Sequence, residues 1–175
     1  MPELTAQNTG ELINIYKEVN TKTDGSYYEA MQRPFELGRV KSQKGIQQIA
    51  LSSDSKFCAT LCATTPKCVW VWDLSDYNLN SILVQEHDVS DLSWCPRSNN
   101  LNISTLESSK LYLWSPKGAS VCQVPLPQSL QEGSGKDVHV SKVMWNPNGM
   151  SFAALDKTNL VFVFPQEQFF DQISV

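Results

Sequence analysis

The sequence has few of the residues that most enzyme active sites and metal centres require. It contains two histidines, His87 and His139, among 175 residues, so any Ser-His-Asp, Cys-His or multi-histidine scheme must use one of them. No set of nucleophile, base and orienting group can be assembled around either position. We therefore expect a protein that is not an enzyme and that has no catalytic residues, no cofactor, no bound metal and no small-molecule substrate.

Basic runs and long hydrophobic runs are also absent. Fourteen Lys and Arg residues stand against eighteen Asp and Glu, which gives a net charge of −4 and argues against a nucleic-acid partner. Uninterrupted apolar stretches reach about six residues, far below the ~20 that cross a bilayer, and the N-terminus has no signal-peptide pattern. The sequence predicts a soluble, unsecreted chain that binds neither nucleic acid nor a membrane.

The cysteines do not form a disulfide framework. There are five, an odd number without regular spacing, which favours a reducing compartment such as the cytosol or nucleus. Cys58, Cys62 and Cys68 lie close together and could suggest a metal site. Their spacing is not the two-residue knuckle of a zinc site and no histidine lies nearby, so we interpret them as packing residues of a strand.

A repeat of about 42 residues runs through most of the chain. The segments 46–73, 89–115 and 140–164 each contain an apolar strand, a turn rich in Pro, Asn, Ser or Gly, a second apolar strand, a short polar gap and a third strand that ends in or near an aromatic residue. Two sets of positions are equivalent: Leu51, Trp94 and Trp145 in the first strand, and Trp72, Trp114 and Phe164 in the third.

The third strand of each unit is apolar on both faces. A half-buried strand alternates apolar and polar residues, whereas 69–72, 111–114 and 160–164 are apolar at every position. Short sheets stacked radially, each between two neighbours, supply cover on both sides, and about 42 residues with four strands are typical of a β-propeller blade. The predicted fold class is all-β, with about three complete blades and strands of a partial one.

The strands and domain limits follow from this repeat. Residues 45–175 are predicted to form blades at about 45–87, 88–127 and 138–175 with a flexible insert at 128–137, and 1–44 to supply strands of a partial blade and a turn-rich link. The predicted strands are 46–51, 57–63, 68–73, 79–85, 90–94, 101–106, 110–115, 119–125, 139–145, 151–155 and 159–164, with 167–173 as a further candidate. No helix of three turns or more is expected within 45–125.

These segments resemble the WD-repeat family. Residues 71–73 (Val-Trp-Asp) carry its Trp-Asp dipeptide, 113–115 (Leu-Trp-Ser) are a degenerate copy, and 145–149 (Trp-Asn-Pro-Asn-Gly) are similar to its Phe/Trp-Ser-Pro-Asp-Gly turn. Within the family, 46–73 and 110–118 look like the C-terminal blades of WRAP-type WD-repeat centrosomal proteins. The similarity covers roughly residues 10–165.

The resemblance implies a non-enzymatic scaffold at the centrosome or spindle pole. Such a scaffold would bind a coiled-coil anchoring protein, hold microtubule minus ends together with a minus-end-directed kinesin, and contribute to spindle assembly and ciliogenesis. It assigns no partner-binding residue. A WD-repeat adaptor of another pathway, such as a ubiquitin-ligase substrate receptor or an initiation-factor-like propeller, is the alternative.

The length departs from the family. Propellers typically have four to eight blades, so the recognisable blades are expected to form an incomplete ring, either as the C-terminal part of a longer protein or in a ring completed by a partner. The outer faces of the first and last blades would then be bare unless 11–40 and 166–175 cover them. We expect such a chain to self-associate when it is expressed alone.

His87 and the pair Asp88 and Asp91 can each be interpreted either as a functional group or as an ordinary surface residue. His87 lies where WD repeats place a histidine that locks the blade by hydrogen bonding, with Glu107 or Ser108 in the place of its partner, and a solvated loop histidine is the alternative. Asp88 and Asp91 could pair as acid and base, but they flank a strand start with no apolar pocket, which favours surface acids.

The remaining motifs are weaker. Gly133-Ser-Gly135 with Lys136 resembles part of a phosphate loop but lacks its Lys-Ser/Thr ending, so we interpret it as linker, and the sequon at Asn102 is not expected to be glycosylated. The aromatic pair 169–170 either completes the last blade or inserts into a partner. Five tryptophans could form a ligand box, although their repeat-equivalent positions favour a core; they are Trp70, Trp72, Trp94, Trp114 and Trp145.

Overall fold

The computed structural model describes residues 12–21, 25–34, 45–124 and 139–165, and every helix or strand element within these ranges is a strand. The strands are β1 (Leu12–Thr21), β2 (Gly25–Pro34), β3 (Ile46–Leu51), β4 (Phe57–Cys62), β5 (Cys68–Asp73), β6 (Asn78–Val84), β7 (Val89–Trp94), β8 (Leu101–Thr105), β9 (Lys110–Ser115), β10 (Gly118–Gln123), β11 (Lys142–Trp145), β12 (Phe152–Leu155) and β13 (Leu160–Val163). In this part of the chain no helix is long and apolar enough to cross a membrane.

The strands form three sheets in chain order, as the repeat predicts. The first sheet has the order β2-β1-β6-β5-β4-β3, the second β10-β9-β8-β7, and the third β11-β12-β13. Within each repeat, consecutive strands pair antiparallel, and β3, β7 and β11 are successive neighbours at one edge of their sheets. The all-β blade architecture is therefore confirmed. We call the three sheets the first, second and third blade.

The N-terminal hairpin corrects one expectation. Residues 12–34 do not start a separate blade; β1 and β2 pair antiparallel, and β1 pairs parallel with β6 from Asn14↔Ser81 to Lys17↔Val84. The hairpin thus extends the outer edge of the first blade, and β2 also packs against β10 of the second blade. A strand edge with free backbone donors and acceptors accepts such an addition wherever side chains can cover it.

Two hydrophobic clusters hold the blades together. The first joins the first and second blades through residues such as Leu61, Val71, Ile103 and Trp114, and the second joins the second and third blades through residues such as Leu113, Val143 and Phe152. Successive residues of a strand point to opposite faces, so the second blade contributes to both clusters. Apolar burial between blades is the main source of stability in such an array.

The expectation that every third strand is covered on both faces is correct only for β9. All residues of β9 after its first are buried, whereas β13 leaves Leu160 54% and Phe162 65% exposed, and β5 leaves Trp70 and Trp72 only partly buried. The reason is position in the array, because β5 and β13 belong to blades that have a described neighbour on one side only. The predicted strand 167–173 and the insert 128–137 lie outside the described residues.

Candidate interaction surfaces

The interface between neighbouring blades repeats one hydrogen bond. Trp94 in β7 donates its indole Nε1–H to the carbonyl of Ala50 at 3.0 Å, and Trp145 in β11 donates in the same way to Ser93 at 3.3 Å. Each bond runs from the first strand of one blade to the first strand of the preceding blade. The partly buried indole thereby gains both apolar contact and a partner for its N–H.

The first blade presents the same face without a described neighbour. Leu51 occupies the position equivalent to Trp94 and is 57% exposed, and Ile49 on the same strand face is 63% exposed. Trp72 on this side donates its Nε1–H to Thr60 Oγ1 at 3.0 Å within the blade. We call this open face the leading face. The equivalent face of the second blade, which carries Trp94, is packed against the first blade.

The third blade has an open face at the opposite end of the array. Met144, Ala153 and Phe162 are paired across its three strands, and Met144 and Phe162 are 52% and 65% exposed. Together with Pro147 and Phe164 they line a shallow apolar groove. We call this surface the trailing face. Contiguous apolar surface on a folded domain marks a contact site for another protein surface.

A buried ionic network fastens the hairpin to both neighbouring blades. The Glu18 side chain is 1% exposed, and its carboxylate accepts hydrogen bonds from Lys110 Nζ at 2.8 Å, from Tyr112 OH at 2.9 Å and from the Glu86 backbone N–H at 2.7 Å. Lys110 Nζ also bonds Asn20 Oδ1 at 2.9 Å and lies 3.6 Å from Glu86 Oε2. Residues of β1, β9 and the loop after β6 thus meet around one carboxylate.

The environment of Glu18 favours its charged form. Burial alone would raise the pKa of this carboxyl group, but the hydrogen bonds from Lys110, the Glu86 amide and Tyr112 and the positive charge of Lys110 together lower it. The same neighbourhood acts in reverse on Tyr112, since burial and the adjacent Glu18 carboxylate raise the pKa of its phenol. Glu18 is therefore an anion in the folded protein at neutral pH.

A layer of aromatic rings lies beside this network. Tyr28 of β2 packs against Tyr16 and Tyr112, with ring centroids 6.2 and 5.9 Å apart. Its hydroxyl donates to Gln85 Oε1 at 2.9 Å when the Gln85 amide is oriented so that its nitrogen donates to the carbonyls of Lys67 and Leu83. The hairpin is thus held by ring contacts as well as by charge, and burial raises the pKa of Tyr28 well above its ordinary value.

The candidate metal residues lie on two neighbouring strands of the first blade. Cys58 is buried, whereas Cys62 and Cys68 are partly exposed at facing ends of β4 and β5. Within the described ranges, no group of three His, Cys, Asp or Glu side chains is arranged to hold a metal ion. The three thiols share one face of the first blade, because their positions alternate with the buried Leu61 and Val69.

His87 and Asp91 lie just before and within β7, the first strand of the second blade. Their contacts differ from the blade-locking hydrogen bond and the acid–base pair considered from the sequence. His87 Nε2 lies 3.9 Å from Glu86 Oε2, and the hydrogen bonds of the described residues include none from His87 to Glu107 or Ser108. Asp91 instead accepts a hydrogen bond from Gln48 Nε2 at 3.1 Å, which links β7 to β3 of the first blade. Asp91 is thus a bridging residue between the first and second blades.

The tryptophans do not converge on a ligand box. Trp114 is 1% exposed and contacts Trp94 edge-on at 5.8 Å, while Trp145 packs against Phe152 in the next interface. Asn102 of the sequon is 1% exposed within β8, so its amide is inaccessible in the folded chain. The segment 133–136 and the aromatic pair 169–170 lie outside the described residues.

Sequence reasoning missed Glu18 and Lys110. They are 92 residues apart, and each occurs in a strand where a charged residue has the appearance of an ordinary solvated side chain. A weak signal exists at Lys110, since it begins the apolar strand β9 whose other residues are buried. A lone charge next to a doubly buried strand requires a partner.

Comparisons with known proteins agree with this architecture. No protein-family model matches the chain. The WD repeat-containing protein WRAP73 of Mus musculus is 34% identical over 149 residues, which cover 81% of this chain and 30% of that protein. An uncharacterized WD repeat-containing protein of Schizosaccharomyces pombe is 23% identical over 108 residues, which cover 56% and 21% respectively. The chain therefore spans less than a third of the length of these relatives.

A solved structure gives the same result for the fold. A chain in the crystal structure of a mitotic checkpoint complex superposes with a TM-score of 0.51 at 18% identity, covering 79% of this chain and 43% of that chain. At this identity the likeness concerns the fold alone.

Proposed function

We propose, from the premise that the chain belongs to the WD-repeat family, that it is part of a non-enzymatic protein scaffold of the centrosome or spindle pole. Proteins of this family present loops and blade surfaces to other proteins. Here the described blades expose apolar faces at both ends, which are surfaces suited to contact with other proteins.

One observation carries the proposal: the 34% identity to WRAP73 over 149 residues, which cover 81% of this chain. The centrosomal location, the coiled-coil anchoring partner, the minus-end-directed kinesin, and the roles in minus-end anchoring, spindle assembly and ciliogenesis come from the WRAP-type resemblance. These roles concern a whole WRAP-type protein. The blades described here are similar to part of such a protein.

Localisation of a tagged protein in dividing cells tests the location. We expect foci that coincide with a spindle-pole marker and that persist after microtubules are depolymerised, because a scaffold bound to the pole does not depend on transport along the spindle. A signal spread evenly through the cell, with the protein shown to be folded, would instead favour an adaptor of another pathway.

A surface variant tests binding through the blades. Tyr77, in the turn between β5 and β6, is 83% exposed and has a positive φ of 60°, so its ring is presented to solvent by a fixed turn. Exposed aromatic side chains are frequent anchors of protein interfaces. Capture of a coiled-coil centrosomal protein by the tagged chain, reduced by Tyr77→Ser but not by the matched change Tyr27→Ser on β2, would place the contact on this turn side.

A further inference from the structure

Cys62 and Cys68 occupy facing positions on neighbouring strands. The register of β4 and β5 runs from Phe57↔Asp73 to Leu61↔Val69. Cys62 is the last residue of β4 and Cys68 is the first of β5, so each lies one residue beyond the last of these pairs. Continuing the register by one step places the two cysteines opposite each other.

The side chains of such a pair share one face of the sheet. Leu61 and Val69 are buried toward the second blade, so the next residue on each strand points to the leading face. Directly opposed residues have Cβ atoms about 4.5–5.5 Å apart. A disulfide needs Cβ atoms about 3.5–4.5 Å apart, a difference that a small adjustment at the end of a hairpin can supply.

Cys58 and Cys95, which share the neighbouring sequence, cannot compete for the same bond. Cys58 lies four residues before Cys62 on the same strand, a separation of about 13 Å along an extended chain, which is far beyond disulfide reach. Cys95 is 1% exposed and its thiol donates to the carbonyl of Gly149 at 3.8 Å. Both Cys62 and Cys68 are partly exposed, so a small thiol reagent can reach them.

We propose that Cys62 and Cys68 form a reversible thiol–disulfide site on the first blade, oxidised by glutathione disulfide or another small disulfide. Cys62 thiolate attacks one sulfur of glutathione disulfide and releases one glutathione thiolate, which takes up a proton. Cys68 then loses its proton and attacks Cys62 Sγ, releasing the second glutathione. The two protein thiols lose two electrons in total, and one glutathione disulfide is reduced to two glutathione molecules.

The surroundings suit Cys62 to the first step. Hydrogen bonds from the backbone and hydroxyl of Thr64, together with those from Thr65, lower the pKa of the Cys62 thiol, and burial raises the pKa of Cys68. In the reduced protein the Cys62 thiol donates to the carbonyl of Gly45 at 3.4 Å, so rotation about its χ1 angle accompanies the second step. The attacking thiol is thus the more acidic one.

The bridge would close a turn that contacts the connection between two blades. Within 63–67, the Pro66 carbonyl accepts a hydrogen bond from Val89 N–H at 2.8 Å, and the Lys67 carbonyl accepts one from Gln85 N–H at 2.9 Å. Oxidation therefore restrains the turn that holds the link from the first blade to the second.

Peptide mapping of the full chain tests the site. The reduced protein is incubated with glutathione disulfide at mildly alkaline pH without oxygen, alkylated, and digested with trypsin without reduction. Cleavage after Lys56, Lys67 and Arg97 separates peptides 57–67 and 68–97, so a bridge is detected as a covalent pair of these peptides. We expect the pair in the wild type and in Cys58→Ser and Cys95→Ser, which remove the other cysteine of each peptide.

The reactive cysteines are distinguished by their own variants. We expect Cys62→Ser to lose the bridged pair, and Cys68→Ser to stop at a glutathione adduct on Cys62. A bridged pair that persists in either variant, or wild-type protein that accumulates only glutathione adducts, would overturn the proposal. These variants replace partly exposed thiols by a smaller polar group, and a melting curve establishes that each remains folded.

Discussion

At the scale of single residues, burial rather than residue type decides the energetic weight of the aromatic side chains. Trp72 and Trp114 are repeat-equivalent, yet Trp114 is 1% exposed between the rings of Phe57 and Trp94, whereas Trp72 lies on the open leading face. Their equivalence in the repeat suggests that the two side chains stabilise the fold equally. Their different burial shows that they do not. Removing a side chain costs free energy in proportion to the contacts it loses.

Trp114→Ala should therefore lower the free energy of unfolding by about 3–5 kcal/mol, the usual range for truncating a buried aromatic residue. Trp72→Ala should cost clearly less, because part of its ring is already solvated and its main specific loss is the bond to Thr60. Urea denaturation of both variants gives the comparison. Equal midpoint shifts would mean that the leading face is covered in solution.

Gly149 illustrates a second residue-scale constraint. Its φ is +67°, and a Cβ atom at this position would lie 2.7 Å from Arg97 Cγ. Gly25 has a φ of +80° with open space around it, so it shares the backbone conformation without the contact. We expect Gly25→Ala to cost about 1 kcal/mol and Gly149→Ala about 2 kcal/mol or more, since an L-residue pays for positive φ in both cases. Thermal melts of the two variants measure the difference.

At the scale of elements, the hairpin β1–β2 is held on the first blade by contacts with both the first and the second blade. Four residues of β1 pair in parallel with β6, a short ladder that is weak by itself. The Glu18 network and the Tyr28 ring contacts add attachment to β9 and to the loop after β6. The hairpin thereby joins the first and second blades on their outer side.

Lys110→Met should release part of this attachment. It leaves the buried Glu18 carboxylate with two neutral donors, and removing one partner of a buried ion pair costs about 3–5 kcal/mol. Lys17→Met, on the same strand as Glu18 but exposed, should change the free energy of unfolding by less than about 0.5 kcal/mol. Urea titration checks both. A small effect of Lys110→Met would contradict the claim that the ion pair between Lys110 and Glu18 stabilises the fold.

Acid should weaken the same attachment. The folded-state pKa of Glu18 lies below its ordinary value of 4.5, so the unfolded chain binds a proton more readily than the folded chain. The stabilisation is complete above that ordinary value and is lost as the pH falls through the folded-state pKa. The difference in stability between the wild type and Glu18→Gln should hence shrink as the pH is lowered from 7 toward 3, measured by thermal melts at each pH. A constant difference would mean that Glu18 is not ionised in the fold.

At the scale of the whole molecule, the array has two unlike ends. The second blade buries both faces, whereas the first and third blades expose Ile49, Leu51, Met144 and Phe162 by half or more. Contacts between adjacent repeats supply most of the stability of a repeat array. A terminal blade without a neighbour is therefore less stable, and its exposed apolar face tends to bind other protein surfaces.

The 175-residue chain expressed alone should self-associate through these faces. Phe162→Lys on the trailing face should reduce the associated fraction in sizing chromatography without lowering the melting temperature, because the ring is 65% exposed. Phe152→Lys, on the adjacent strand but 2% exposed, should unfold the third blade and serves as the contrasting control. A monomeric wild type at tens of micromolar, with no apolar dye binding, would show that the open faces are covered in solution.

Local patterns were sufficient to predict the blades. The equivalence of Leu51, Trp94 and Trp145 and the apolar third strands arise from periodic contacts within about 42 residues, and the strand limits found for β3 to β9 lie within about one residue of those predicted from these signals. The stretches 12–16 and 27–40 are likewise strand-like in the sequence, and they overlap β1 and β2. Their place was not predictable, because any free sheet edge can accept a hairpin.

Only the tertiary structure decided which surfaces are open and which charges are buried. An apolar side chain has the same appearance in the sequence whether or not another blade packs on it, so the exposure of Leu51 and Phe162 could not be predicted from their pattern. Glu18 and Lys110 meet across 92 residues of chain through the docking of a hairpin. Contacts between distant segments depend on how the sheets pack against one another, which no local spacing encodes.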